Sequence, residues 1–246
     1  MNVSRSGVAH CPHIHTEATH WPRVPVQRRS SFRVGRLVPR GQRSRVRYAS
    51  LMDIGSVTEQ RFIRDVLENL KVRTILDRWD DLGLPDGWLV AGCLFQTVWN
   101  LLSGLEAESR IKDYDLFYFE PADLSEAAEN AVQRRVERVL GDLQVPVEAK
   151  NQARVHLWYE EHFGHPYPAL ANSREGIDRF LIPATCVGIR PAQNGMEVYA
   201  PNDLSLMYAG LLQPNPLTDH RLLFRAKAAS YRERWPWLTV VETERT

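Results

Sequence analysis

Two aspartates, Asp113 and Asp115, are separated by a single residue. In a β-strand, residues i and i+2 point to the same face, so these two carboxylates would project side by side. Two ionised carboxylates at one spot repel each other unless a cation lies between them, and Mg²⁺ prefers such hard oxygen ligands. The spacing therefore predicts a site for Mg²⁺ or Mn²⁺. The alternative is a solvated turn before an edge strand.

A glycine-containing turn precedes this pair in the chain. Residues 88–91 have the pattern of a short buried strand, and residues 94–105 have helical spacing. Between them, Gly92 permits a tight turn with close approach of the backbone to a ligand. The first N–H groups of the helix, near Cys93, can bind an anion such as a triphosphate. A phosphate cradle next to paired carboxylates indicates phosphoryl-transfer chemistry.

Strands and helices alternate in the elements that must position these residues. Asp113 and Asp115 begin an aromatic-rich strand, and Asp123 with Glu126 resembles the capping box of the next helix. This mixed order of strands and helices favours a layered α+β or α/β fold. Helices are predicted over 58–79 (one or a pair), 94–105, 123–140, 155–162, 174–180, 204–212 and 222–234, and strands over 88–91, 114–119 and 146–150, with a hairpin near 194–195.

Composition restricts the class of protein. Apolar residues make up 43% and charged residues 25% of the 246 residues, which is typical of a globular protein. The three cysteines are far apart, so neither a disulfide framework nor a thiolate zinc site is indicated. No run of about 18 apolar residues occurs, so a membrane span is not predicted. We expect a cytoplasmic protein that does not contact a membrane.

The N-terminal region differs from the rest of the chain. Residues 1–50 contain ten Arg, no Lys and a single acidic residue, Glu17. Their apolar residues show neither helical nor strand periodicity. We predict a disordered Arg-rich leader over residues 1–52 and a single domain with C-terminal helices over residues 53–246. A start codon assigned too far upstream of Met52 and an organellar transit peptide are the alternatives.

Several stretches together resemble a known family. They resemble the nucleotidyltransferase superfamily that includes DNA polymerase beta, whose hallmark is a Gly-Gly or Gly-Ser turn followed by D-x-D or D-x-E on the next strand. The closer resemblance is to a bacterial nucleotidyltransferase family formerly catalogued as a domain of unknown function. The matching stretches are 91–100, 111–119, 150–158, 200–204 and 235–237.

The resemblance implies an α+β fold, in which a mixed β-sheet flanked by helices forms a polymerase-beta-like nucleotidyltransferase core. It implies a divalent metal, Mg²⁺ or Mn²⁺, and nucleotidyl transfer from a nucleoside triphosphate by two-metal in-line displacement. Asp113 and Asp115 correspond to the metal carboxylates, and Glu148 corresponds to the third acid on a neighbouring strand. Cys93 stands where the family has a second Gly or Ser, so a hydroxyl contact to phosphate would be lost.

Other polar residues border the predicted site. Lys112 is a candidate phosphate-binding cation together with the turn at Gly92 and Cys93. A second group of residues could contact the substrate. Equally, its members could form buried hydrogen bonds that hold the turn after the strand. Its members are Lys150, Asn151, Gln152, Arg154 and His156. Core positions are expected for Trp88, Trp99, Trp158, Trp235 and Trp237.

Two further classes of function remain open at this point. A non-catalytic nucleotide- or nucleic-acid-binding module could retain the fold, with the Arg-rich leader contacting phosphates. A toxin-antitoxin-like partner protein is the third possibility. The expected partners of an active enzyme are a nucleoside triphosphate and an acceptor, either a small molecule or a protein, with nucleic acid not excluded.

Overall fold

The computed structural model of the protein describes residues 57–218 and 220–241. The predicted leader, residues 1–52, lies outside the described residues. The helices are α1 (Glu59–Val66), α2 (Leu70–Asp77), α3 (Trp79–Leu82), α4 (Gly92–Leu102), α5 (Glu126–Leu140), α6 (Tyr159–Phe163), α7 (Ser173–Asp178), α8 (Ser205–Tyr208) and α9 (Arg221–Arg234). The strands are β1 (Trp88–Val90), β2 (Tyr114–Tyr118), β3 (Val147–Asn151), β4 (Gly188–Ala192), β5 (Gly195–Tyr199), β6 (Leu211–Leu212) and β7 (Thr239–Val240).

A five-stranded mixed sheet with the order β3-β2-β1-β4-β5 forms the centre of the fold. Strand β1 pairs antiparallel with β2 and β4, and β4 forms the predicted hairpin with β5. Strand β3 is parallel to β2. The short strands β6 and β7 form a separate parallel pair. The mixed sheet with flanking helices confirms the predicted α+β class.

The two faces of the sheet are covered differently. Leu89 of β1 packs into the main core with residues of helices α1, α4 and α5, among them Val98. On the opposite face a smaller cluster holds Trp88, Phe117 and Ile177. Alternation along each strand sends neighbouring side chains to opposite faces. The face of the smaller cluster is also the one to which Asp115, two residues before Phe117, belongs.

Helix α9 is held against α4 by aromatic rings. The ring centre of Trp99 lies 5.3 Å from that of Tyr231 and 5.3 Å from that of Trp235. Trp235 also donates a hydrogen bond from Nε1 to Asn100 Oδ1 over 3.0 Å. Edge-on aromatic contacts and a satisfied indole N–H favour a single packing arrangement. The closing helix therefore has a fixed position beside the helix that starts at Gly92.

The helix predicted over 204–212 is wrong in its second half. Helix α8 ends at Tyr208, and Leu211–Leu212 form strand β6. Between them Gly210 has a left-handed φ of 65°. A Cβ at this position would collide with the side chain of Trp237. The chain therefore leaves the helix where the C-terminal segment packs, a contact that local periodicity does not encode.

The capping box predicted for the next helix is also wrong. Ser125 is the N-cap of α5, and its Oγ accepts a hydrogen bond from the Ala128 N–H over 3.2 Å. Asp123 instead accepts a hydrogen bond from the Ser125 N–H over 2.9 Å. An aspartate that bonds the backbone two residues on forms a turn rather than a cap. The helix consequently begins at Glu126.

The predicted core tryptophans divide into two groups. Trp88, Trp99 and Trp235 are completely buried, as predicted. The prediction is wrong for Trp158, which is half-buried and lines a pocket, and for Trp237, which is 37% exposed. An amphipathic indole is stable at such boundaries because its ring can pack while its N–H finds a partner.

Candidate active site

The sheet brings three carboxyl groups to one place. Asp115 lies on β2 directly opposite Glu148 on the parallel strand β3, and opposite Val90 on β1. Asp113 precedes β2 by one residue, and both aspartates are only 2% exposed. The strand geometry therefore places Glu148 on the strand next to the Asp113–Asp115 pair.

The electrostatics of Asp115 reflect this crowding. Burial raises the pKa of its carboxyl group well above the ordinary value, and the negative charges of Asp113 and Glu148 raise it further. The positive charges of Lys227 and Lys150 offset part of this increase. One oxygen of Asp115, Oδ2, is buried and accepts no hydrogen bond from the described residues. A buried carboxylate in this state has the electrostatic requirement of a cation site.

The turn before α4 lies next to these carboxylates. The positive φ falls on Ala91 (φ 60°, ψ −128°), whereas the sequence had assigned the tight turn to Gly92. Gly92 is required instead for space: a Cβ there would lie 2.8 Å from Gln96 Nε2 and 4.0 Å from Asp113 Oδ1. The absence of a side chain thus lets the start of α4 approach the acidic cluster.

Helix α4 presents its first backbone N–H groups at this point. The N–H groups of Leu94 and Phe95 both bond to the Ala91 carbonyl. The N–H groups of Gly92 and Cys93 precede the first helical hydrogen bond, and such groups bind anions together with the positive end of the helix dipole. The arrangement can therefore receive a phosphate group beside the carboxylates.

The thiol of Cys93 packs into the protein core next to the phosphate-binding turn. Its side chain is completely buried and donates a hydrogen bond from Sγ to the Val90 carbonyl over 3.4 Å. Burial raises the pKa of this thiol well above its ordinary value, and the charges of Asp115 and Asp113 add to the increase. The side chain belongs to the core. Only the backbone N–H of Cys93 remains as a phosphate donor.

A pocket opens directly beside the cluster. Its volume is about 130 Å³, well beyond the roughly 10–15 Å³ that a single water molecule needs. Its lining includes Ala91 and Gly92 of the turn, Asp115 of β2, Lys150 of β3 and Lys227 of α9. An aspartate, two lysines and a helix N-terminus therefore line one ligand-sized space.

Comparison with known proteins agrees with this geometry. A protein family described as Nucleotidyltransferase matches residues 77–240. The chain belongs to this nucleotidyltransferase family. Its members are transferases that use a nucleoside triphosphate, and this confirms the resemblance found in the sequence.

The nucleotidyltransferase also resembles a solved structure, an NMR structure described as revealing a CCA-adding enzyme head domain. The two are 24% identical with a TM-score of 0.61, and the match covers 77% of this chain and 100% of the other. This likeness confirms the fold. The comparison with curated proteins gives no match. No helix in the described part of the nucleotidyltransferase is long and apolar enough to cross a membrane.

Two of the predicted polar residues of the nucleotidyltransferase make supporting contacts. Asn151 Oδ1 accepts hydrogen bonds from the N–H groups of Glu120 and Ala153, both over 3.1 Å. Arg154 forms an ion pair with Glu129 on α5. These contacts hold the turn after β3, so Asn151 and Arg154 have structural roles.

The remaining predicted residues have separate positions. Gln152 is buried and lines the pocket, and Lys150 lines it while its Nζ lies 3.5 Å from Glu148 Oε2. His156 lies in a short 3-10 turn and is not among the residues that line the pocket. Lys112 is exposed and does not line it either. The structure thus brings Lys150 and Gln152 to the pocket of the nucleotidyltransferase and leaves Lys112 and His156 outside it.

Several residues of the pocket were not predicted from the sequence. Lys227 and Tyr231 on α9, and Arg179 after α7, all line it. Lys227 lies more than 100 residues after Asp115, in a helix with many other charges, so no local pattern distinguishes it. The packing of α9 on α4 brings it to the carboxylates.

The donor set of the nucleotidyltransferase fits a divalent cation. Within residues 57–218 and 220–241, no three His, Cys, Asp or Glu side chains surround a common metal position. Mg²⁺ commonly takes one or two protein carboxylates and completes its coordination with water and substrate phosphates. Asp113 and Asp115 meet this requirement, because they are adjacent and Oδ2 of Asp115 is buried without a hydrogen bond.

Proposed function

We propose that Asp113, Asp115 and Glu148 form the metal-dependent catalytic centre of this nucleotidyltransferase. The observation that supports this most strongly is the register that pairs Asp115 with Glu148 beside a pocket containing a helix N-terminus. Before the structure, the role of Glu148 was implied only by the resemblance to the nucleotidyltransferase family. The parallel pairing of β2 and β3 now supplies a physical reason for it.

The reaction is transfer of a nucleotidyl group to a hydroxyl group. The acceptor oxygen forms a bond to the α-phosphorus as the bond to the bridging oxygen of the leaving group breaks. Pyrophosphate leaves, and the hydroxyl proton is released to solvent. Bound Mg²⁺ or Mn²⁺ would supply charge neutralisation for the phosphates and lower the pKa of the attacking hydroxyl.

The chain contributes binding and orientation to this reaction. Asp113 and Asp115 would hold the divalent ions, with Glu148 supporting the ion nearest the acceptor. The N–H groups of Gly92 and Cys93 would donate hydrogen bonds to the triphosphate. Lys227 and Lys150 would offset negative charge on the phosphates, since both already lower the pKa of Asp115.

The acceptor is a small molecule or a protein side chain. The test uses a nucleoside triphosphate labelled at the α-phosphate, Mg²⁺, and fractions of a cell extract as sources of acceptor. We expect label transfer with the wild-type protein and pyrophosphate release in equal amount. Asp115→Asn should reduce transfer by at least about 100-fold, whereas Asp77→Asn, an exposed aspartate at the end of α2, should leave it unchanged.

The result that contradicts the proposal is transfer by Asp115→Asn at the wild-type rate. A non-catalytic binding module would show nucleotide binding without pyrophosphate release in any fraction. Salt-sensitive RNA binding that is lost on deletion of residues 1–50 would support that alternative.

A further inference from the structure

The pocket has an aromatic wall that the proposed chemistry does not use. Trp158, Tyr159, Phe163 and Tyr167 line it, and all four are only partly buried. The ring centre of Tyr159 lies 4.5 Å from that of Phe163 and 4.4 Å from that of Tyr167. We call these four residues the aromatic slot. Aromatic side chains left half-exposed around a cavity offer ring faces to a ligand.

The aromatic wall continues to the catalytic end of the pocket. Phe117 follows Asp115 by two residues on β2 and lies on the same face, about 7 Å further along the strand. Phe180 packs edge-on against Phe117, with 5.7 Å between ring centres, and both residues line the pocket. One ligand could therefore extend from the carboxylates along this apolar surface.

A buried hydrogen-bond donor lies beside the aromatic slot. The guanidinium carbon of Arg179 is 5.7 Å from the centre of the Tyr167 ring. Its Nε is buried and makes no hydrogen bond to the described residues, although Arg179 lines the pocket. Thr218 Oγ1 donates to the Arg179 carbonyl over 2.9 Å and so holds its backbone in place. Buried donors in native proteins usually have an acceptor, and here a ligand can provide it.

We propose that the aromatic slot binds the nucleobase of the donor nucleoside triphosphate, with Arg179 donating a hydrogen bond to an acceptor atom of the base. This inference rests on the proposed function, which places the triphosphate between the α4 N-terminus and the lysines of the same pocket. A nucleobase combines the two required properties: a flat ring that stacks on aromatic side chains and polar acceptor atoms at its edge.

The test compares ligands with and without a base. Dissociation constants are measured by calorimetry for Mg²⁺ complexes of the four ribonucleoside triphosphates and of inorganic tripolyphosphate, which has no ring. Tyr159→Leu should weaken binding of the nucleotides about 10-fold and change tripolyphosphate binding by less than about twofold. Tyr159→Phe retains the ring and should bind nucleotides like the wild type. Arg179→Leu should weaken nucleotide binding and reduce the difference in affinity among the four bases.

Leu157→Ser is the matched control. Leu157 directly precedes the aromatic slot, is 55% exposed and does not line the pocket. The variant should therefore bind the nucleotides and tripolyphosphate as tightly as the wild type does. Thermal unfolding followed by circular dichroism identifies variants that lose their fold, and Tyr167→Leu then replaces Tyr159→Leu in the same comparison.

Three outcomes overturn the assignment of the slot. The first is that Tyr159→Leu weakens binding of tripolyphosphate as much as binding of the nucleotides, or weakens binding of neither. The second is that it lowers transfer while nucleotide affinity is unchanged, which assigns the slot to the acceptor. The third is that the wild type binds no nucleotide. Failure of the catalytic proposal is distinguishable, because it would show as an active Asp115→Asn protein with nucleotide binding still dependent on Tyr159.

Discussion

Asp115 on β2 lies directly opposite Glu148 on β3, in a parallel register that aligns their side chains on one face of the sheet. Burial raises the pKa of Asp115, and the negative charges of Asp113 and Glu148 raise it further. Like charges gathered in a buried position destabilise the fold, and such a cost is characteristic of functional sites. This relationship leads to predictions about stability as well as activity.

Removal of the charge at Asp115 should stabilise the metal-free protein. The folded-state pKa of this acid is raised, so the folded protein holds its proton more tightly than the unfolded chain does. Stability is therefore greatest below the unfolded pKa of about 4 and decreases as pH rises towards the folded pKa. At pH 7 in EDTA, Asp115→Asn should increase the free energy of unfolding by at least about 1 kcal/mol, or about 2–4 °C in melting temperature.

The measurement is thermal unfolding of both proteins between pH 4 and pH 8. The difference in melting temperature should grow as pH rises through this range. Addition of Mg²⁺ should raise the melting temperature of the wild type and have little effect on the variant. A variant that is less stable than the wild type at pH 7 would show that the charge of Asp115 does not destabilise the metal-free protein.

Ala91→Gly should stabilise the protein. Ala91 has a φ of 60° and a ψ of −128°, a region that is almost restricted to glycine, and such strain costs about 1–3 kcal/mol. The greater entropy of glycine in the unfolded chain offsets about 0.5–1 kcal/mol of the gain. We expect a net increase of about 0.5–1 kcal/mol in urea unfolding. Ala149→Gly, at a buried position in the extended strand β3, is the control and should destabilise the protein.

Gly92→Ala should impair catalysis more than stability. The added Cβ would lie 2.8 Å from Gln96 Nε2 and would occupy space beside Asp113. The end of a glutamine side chain can move, so the loss of stability should stay below about 1 kcal/mol. Crowding of the phosphate cradle should lower kcat/KM for the nucleotide by about 10-fold. Gly141→Ala, where a Cβ meets no atom within 4 Å, should change neither quantity.

Lys227→Met should weaken nucleotide binding. Lys227 lines the pocket, and its charge lowers the pKa of Asp115. Loss of this cation should raise the dissociation constant for a nucleoside triphosphate about 10-fold, with a smaller dependence on salt. Arg232→Met removes an exposed charge from the same helix and provides the comparison. Equal affinities for the two variants would exclude Lys227 from phosphate binding.

The sequence predicted the features that depend on local spacing. Asp113 and Asp115 could be paired because side chains alternate along a strand, and the glycine turn before α4 could be found from the change in periodicity. In the structure, Gly92 and Asp115 both line one pocket, and Asp113 lies close enough to Asp115 for its charge to raise the pKa of that carboxyl group. The role of Glu148 needed the resemblance, because strand order and register depend on contacts between distant segments.

Other features depend on packing that no local pattern contains. Lys227 reaches the site because α9 packs along α4 through Trp99 and Tyr231. Trp158 was assigned to the core because an indole is usually buried, yet it lines the pocket. Gly210 ends α8 because Trp237, which follows it by 27 positions, fills the space where a side chain would lie. In each case tertiary contacts override a local preference.

We propose that the carboxylates of Asp113 and Asp115 hold divalent ions for a bound nucleotide. The most direct measurement is a crystal structure with Mn²⁺ and a non-hydrolysable nucleoside triphosphate, with anomalous diffraction recorded at the manganese edge. We predict an anomalous peak in coordination contact with both aspartates and with phosphate oxygens, and the triphosphate at the N-terminus of α4. A nucleotide bound with no manganese at Asp113 and Asp115, or a nucleotide bound away from Gly92, would exclude these aspartates as the metal site for the nucleotide.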